Sequence, residues 1–123
     1  MAALKRPKIL VVDDEQVIAD TLARILELNG YDAFVSYTSS AAVEIARNMR
    51  PELVILDVII PGDISGIDAA IQIRQALPDC KILLFSGQAA TSDLLEKARA
   101  QGHDFEILAK PVHPSELLAK LRG

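Results

Sequence analysis

The sequence predicts one α/β domain over residues 1–123, a doubly wound five-stranded parallel sheet with five helices. Two observations predict it. Five short apolar runs rich in Val, Ile and Leu alternate with five stretches whose apolar residues recur at spacings of three and four. The longest run, Leu53-Val54-Ile55-Leu56-Asp57-Val58-Ile59-Ile60, shows no apolar/polar alternation and reads as a strand buried on both faces. Alternation of strand and helix gives right-handed βαβ units and a parallel sheet covered on both sides.

Lys8-Ile9-Leu10-Val11-Val12 predicts the first strand, and it stops at Asp13-Asp14-Glu15. Val17, Ile18, Thr21, Leu22, Ile25 and Leu26 predict a helix that Asn29-Gly30 closes with a left-handed cap. Tyr31 to Val35 forms the second strand. Ser39-Ser40 opens a second helix with an apolar stripe of Ala41, Ala42, Ile45, Ala46 and Met49, and Pro51 forbids its continuation. The third strand ends near Leu56, so that Asp57 emerges at its carboxyl end before Pro61-Gly62 turns the chain. Ile67, Ala70, Ile71, Arg74 and Leu77 mark the third helix, broken by Pro78-Asp79. Lys81 to Phe85 is the fourth strand, ending at Ser86-Gly87, with Leu94, Leu95 and Ala98 on the helix behind it and Gly102 at that helix's end. Phe105 to Ala109 is the fifth strand, and Lys110-Pro111 terminates it. Pro114 suits the first turn of a last helix carrying Leu117, Leu118 and Leu121. That helix is short for an element covering a sheet edge, which leaves open a minimal domain or a longer protein cut at Gly123.

Hydrophobic residues make up 50% of the chain and aromatics only 4%, so the core must be aliphatic. A net charge of −4 argues against a domain that lives on nucleic-acid backbone, which shows a basic face. Cys80, the single cysteine, excludes an intramolecular disulfide and agrees with a reducing compartment; it reads as a packing residue. No apolar run approaches the roughly 18 residues that span a bilayer, and the start lacks an apolar signal core. A cytoplasmic location without membrane contact is the expectation.

The predicted strand ends carry groups a buried sheet does not need: Asp13 and Asp14 after the first, Asp57 after the third, Ser86 at the fourth, Lys110 after the fifth. Each alone has a plain explanation. Asp13 or Asp14 could cap the following helix, Asp57 and Ser86 could form turns, and Lys110 could be a solvated lysine. In the order 2-1-3-4-5 the first and third strands are neighbours, so the three carboxylates converge at the switch-point crevice where such sheets bind ligands. Carboxylates about 4 Å apart repel by roughly 4 kcal/mol at an effective dielectric near 20, which calls for a counter-ion. All-oxygen ligands at a solvent-open edge suit Mg²⁺. Asp57 beside such an ion, facing Lys110 and the Ser86 hydroxyl, has the parts for nucleophilic attack on a phosphoryl group.

The chain resembles the receiver domains of bacterial two-component response regulators, of the single-domain chemotaxis-regulator kind with its flavodoxin-like fold. The resemblance rests on Val11-Val12-Asp13-Asp14-Glu15, on Leu56-Asp57 with Pro61 four residues on, on Ser86-Gly87 and on Lys110-Pro111. It implies that Asp57 accepts a phosphoryl group from a sensor histidine kinase or phosphotransfer protein. It also implies that Asp14 ligates Mg²⁺ directly, that Asp13 acts through water, and that the Ile59 backbone carbonyl completes the protein ligands. Ser86 and Lys110 take the hydroxyl and lysine roles. By the same resemblance the domain is a signalling phosphoacceptor that catalyses only its own phosphorylation and dephosphorylation. The face made by the fourth helix, fifth strand and fifth helix would control an output domain or partner protein, and the Lys110-Pro111 bond would be cis. Two positions depart from the pattern. Gly66 stands nine residues after Asp57 where the family places a glycine eight after, and Ile107 occupies the place of an aromatic three residues before the lysine, with Phe105 nearby.

Other readings fare less well. An aspartyl-nucleophile phosphatase wants a second Asp where Ile59 stands, and a flavodoxin-like cofactor binder wants a phosphate loop where Asp13-Asp14 would repel one. A receiver used for docking without phosphorylation is the runner-up. His103 and His113, flanking the fifth strand, read as loop residues rather than proton shuttles.

Overall fold

A computed structural model describes residues 6–60, 62–87, 91–110 and 113–122. Its elements are β1 (Lys8–Val12), α1 (Gln16–Leu28), β2 (Asp32–Ser36), α2 (Ser39–Met49), β3 (Leu53–Asp57), α3 (Gly66–Ala76), β4 (Lys81–Ser86), α4 (Thr91–Ala100), β5 (Glu106–Ala109) and α5 (Pro114–Arg122). The strands lie in the order β2-β1-β3-β4-β5, and every pairing is parallel. The uninterrupted apolar run takes the centre as expected, and all of β3 is buried. Pro61, Gln88 and Pro111 lie outside the described residues, as does the side chain of Leu94, so the Lys110-Pro111 bond is not among the features described.

Alternate residues of the strands feed two aliphatic layers. Leu10, Val12, Val54, Leu56 and Leu84 face α2 and α3, with Ala98 of α4 in the same layer. Ile9, Val11, Ile55, Leu83 and Leu108 pack with α1 and α5 on the other side. Each fully buried aliphatic side chain contributes about 1.5 to 3 kcal/mol, so a sheet apolar on both faces is held without disulfide or metal. Cys80 is buried in the first layer, as its reading as a packing residue required. Among the described residues no helix is long and apolar enough to cross a membrane.

Helix ends follow local chemistry. Gly30, at φ +95°, ends α1: the Tyr31 N–H reaches the Leu26 carbonyl at 3.1 Å and the Gly30 N–H reaches Glu27 at 3.3 Å. This is the left-handed cap that Asn29-Gly30 predicted. Thr38 caps α2 by accepting from the Ala41 N–H, and Ser65 caps α3 by accepting from the Asp68 N–H.

Several stripe assignments need correction. Val17 is 78% exposed. The inward residues of α1 are Ala19, Leu22 and Leu26, and a position two before Ala19 points roughly 200° away from it. In α2 Ala41 is exposed while Val43 is buried, and in α3 the fully buried Ile73 belongs to the stripe. Two strands each begin one residue later than expected, β2 at Asp32 and β5 at Glu106, so the buried Phe105 precedes its strand.

Candidate functional site

Register alone assembles the site. Val12 pairs with Leu56, so Asp13 and Asp57 leave neighbouring strands side by side. Asp57 is opposite Phe85, and Ser86 pairs with Ala109, so Ser86 and Lys110 follow at the same edge. Carboxylate oxygens of Asp13, Asp14 and Asp57 all lie within 4.8 Å of one another. Lys110 Nζ donates to Asp57 Oδ2 at 2.8 Å and to Asp13 Oδ2 at 3.2 Å. The solvated-lysine explanation therefore fails. Burial disfavours the Lys110 charge, but hydrogen bonds and opposite charge from Asp57 and Asp13 outweigh it and hold the ammonium pKa above its ordinary value.

Backbone contacts fix the two buried carboxylates. Asp13 Oδ1 accepts from the Glu15 N–H at 3.0 Å, and Asp57 Oδ1 accepts from the Ile59 N–H at 3.2 Å. Neither Asp13 nor Asp14 caps α1: the capping position is Glu15, whose side chain makes no capping bond. Asp14 is exposed, whereas Asp13 is 0% exposed and Asp57 6%. The set is all oxygen, and three carboxylates against one ammonium leave a formal charge of −2. Such a set fits a hard divalent cation that keeps part of its water shell.

Close packing behind the site explains one glycine. A Cβ on Gly66 would fall on the Asp57 carbonyl oxygen and lie 2.8 Å from the Val58 Cα. No side chain fits there, so α3 can start against the strand that carries Asp57 only with glycine at this position.

Phe85 was missed as part of the site. Its ring lies under Lys110, with Nζ 4.9 Å from the ring centre. Its run reads as buried strand, and only its register opposite Asp57 places it here. His103 stacks on Phe105, and the His113 ring accepts from the Ser115 N–H at the start of α5, which agrees with their reading as loop residues. Ile107, in the place of the expected aromatic, is 38% exposed, while Phe105 is buried beneath the Arg74 guanidinium at 4.1 Å.

An open 2-1-3-4-5 sheet whose central strand ends in a carboxylate, held by a lysine from the edge strand beside an acidic pair, places an oxygen-rich site at the sheet's switch point. Residues 9–122 match the response regulator receiver domain, and the chain belongs to that family. It is 34% identical over 115 residues to the probable transcriptional regulatory protein TcrX of Mycobacterium tuberculosis, covering 94% of this chain and 48% of that protein. Against the DNA-binding response regulator MtrA of Mycolicibacterium smegmatis it is 33% identical over 118 residues, 96% of this chain and 50% of the relative. The chain thus spans about half the length of the curated relatives it matches. A CheY-like receiver domain protein from Methanospirillum hungatei superposes with a TM-score of 0.85 over 96% of this chain and 92% of that one. At 24% identity that likeness speaks to the fold.

Proposed function

We propose that the domain accepts a phosphoryl group on Asp57 from a phosphohistidine of a sensor histidine kinase or phosphotransfer protein. One observation carries the reading: of the two buried carboxylates that share Lys110, Asp57 alone keeps contact with solvent, 6% against 0% for Asp13. A donor can reach Asp57 and cannot reach Asp13. An Asp57 carboxylate oxygen attacks phosphorus, the P–N bond breaks, and its electron pair returns to the imidazole nitrogen. Lys110 then exchanges its bond to the free carboxylate for one to the phosphoryl oxygens, a charge-assisted contact. Ser86, at the end of β4, donates its hydroxyl to the same group.

Asp14 and Asp57, Asp13 through a water, and the Ile59 carbonyl would hold Mg²⁺. When bound, the ion neutralises phosphoryl oxygen charge. The donor's docking surface is the apolar groove of about 530 Å³ beside the site, lined by Val17, Ile18, Thr21, Ile25, Pro114 and Lys110. The exposure of Val17 suits a partner helix laid along α1.

Acetyl phosphate with Mg²⁺ should add one phosphoryl group by intact-mass spectrometry. An undiminished adduct in Asp57→Ala would sink the reading. Mg²⁺ binding should depend on Asp14 more than on Asp13, and equal losses in Asp13→Ala and Asp14→Ala would refute that ranking. Exposed Ile107 favours a second reading, docking without phosphorylation, which gains if no adduct forms and a partner still binds.

A further inference from the structure

The β3–α3 turn that carries the additional residue is tied to a different helix. Asp63 Oδ2 accepts from the Ser40 backbone N–H and from the Ser40 hydroxyl, each at 3.1 Å, and its Oδ1 accepts from the Ile64 N–H at 2.7 Å. The buried Ser39 hydroxyl donates to the Ile64 carbonyl at 2.5 Å. No residue of the first turn of α2 is acidic, and the Thr38 side chain accepts from the Ala41 N–H. Asp63 therefore brings a second acceptor, and the negative charge a helix N-terminus favours, from a separate loop. The Ser40 N–H, first, and the Ile64 N–H hold its carboxyl below the ordinary range.

The tether bears on the site because Ile59 lies between its two fixed ends. At one end the Gly66 N–H bonds the Val58 carbonyl at 2.7 Å; at the other the turn hangs on Ser39 and Ser40. Between them the Ile59 N–H holds Asp57 Oδ1. The β2–α2 connection reaches the other acidic strand end as well: Ser36 donates its hydroxyl to the Thr38 carbonyl at 2.8 Å, and its own carbonyl accepts from the Asp13 N–H at 3.1 Å. The end of β2 thus holds the Asp13 backbone, and the start of α2 holds the turn after Asp57.

We propose that Asp63 is a positioning residue for this site: it holds the lengthened turn against α2, so that Ile59 keeps Asp57 oriented and its own carbonyl in place for the metal. This rests on the reading of Asp57 as phosphoacceptor. The test uses the whole chain with Asp63→Ala, Asp63→Asn and Ser40→Ala, titrated with Mg²⁺ alone and followed by backbone amide shifts. Asp63→Ala should speed hydrogen exchange at Ser40 and Ile64, move the Ile59 amide before any metal is added, and raise the Mg²⁺ midpoint. Asp63→Asn keeps an acceptor without the charge and should fall between. Ser40→Ala, which leaves the backbone bond, should have the smallest effect. In phosphorylation by acetyl phosphate the Mg²⁺ requirement should rise and the rate at saturating Mg²⁺ should fall, because Asp57 is held less firmly. Lower thermal stability with an unmoved Ile59 amide and midpoint would make Asp63 a cap for α2 alone and overturn the proposal. Failure of the wild type to take up phosphate would overturn the Asp57 reading instead, and the Ile59 amide would still decide the role of Asp63.

Discussion

Replacing Lys110 by Met removes the ammonium that faces Asp13 and Asp57 while keeping an unbranched apolar stem over Phe85. Two contacts are lost, at 2.8 and 3.2 Å, and two carboxylates, 0% and 6% exposed, face each other without compensation. Within 4.8 Å and at an effective dielectric near 20 they repel by at least about 3.5 kcal/mol. Breaking a buried ion pair costs roughly 3 to 5 kcal/mol, and the mouth here is partly open to water, so the low end applies. We expect a loss of about 3 kcal/mol, or about 10 °C in Tm, in metal-free buffer. The sign with pH follows from Lys110, whose pKa is raised in the folded state. Its stabilisation is present below the unfolded value of about 10.4 and fades as pH climbs through the folded one. The difference between wild type and variant should therefore stay flat from about pH 6 to 9 and close above about 10.4. With a formal site charge of −3 instead of −2, the variant should also gain more Tm from Mg²⁺ than wild type does. Urea denaturation across pH, with and without chelator, measures all of this. A variant as stable as wild type without metal, or one with no larger Mg²⁺ response, would refute the reasoning.

Gly66→Ala should destabilise by about 1 to 3 kcal/mol and disturb Asp57, because backbone rather than a flexible side chain must move; unchanged Tm would contradict the close approach. Burial pushes the Cys80 thiol up to about 11, so at pH 8 it should react with a thiol reagent far more slowly than in urea, and equal rates would show it is not buried. Beryllofluoride, a phosphoryl mimic, should shift α4 amides in wild type, and Ser86→Ala should weaken that shift. Two charge-assisted contacts of roughly 1.5 to 3 kcal/mol each approach the roughly 5.5 kcal/mol a full switch needs. Equal responses in both proteins would remove Ser86 as the coupling group.

Much of this was legible because β3 declares itself. An apolar run without alternation has one place in a parallel sheet, and strand order then brings Asp13, Asp14, Asp57 and Lys110 together. Val17 was misread because one apolar residue among several at near-helical spacing does not reveal its angle to the core. The Asp63 tether was hidden for a different reason. In a turn rich in Gly and Ser an aspartate looks like any turn former, and its partner Ser40 lies 23 residues earlier on another helix. Phe85 was read as core, which it is; that its ring also supports Lys110 depends on register, not composition.

The central claim is that Asp57 carries the phosphoryl group, and reduction of the acyl phosphate tests it at residue level. The protein is incubated with acetyl phosphate and Mg²⁺, treated with borohydride, and digested for peptide mass mapping. Homoserine at position 57, absent when the phosphodonor is omitted, is the predicted result. Homoserine at position 13 or 14 with position 57 unchanged would contradict the account.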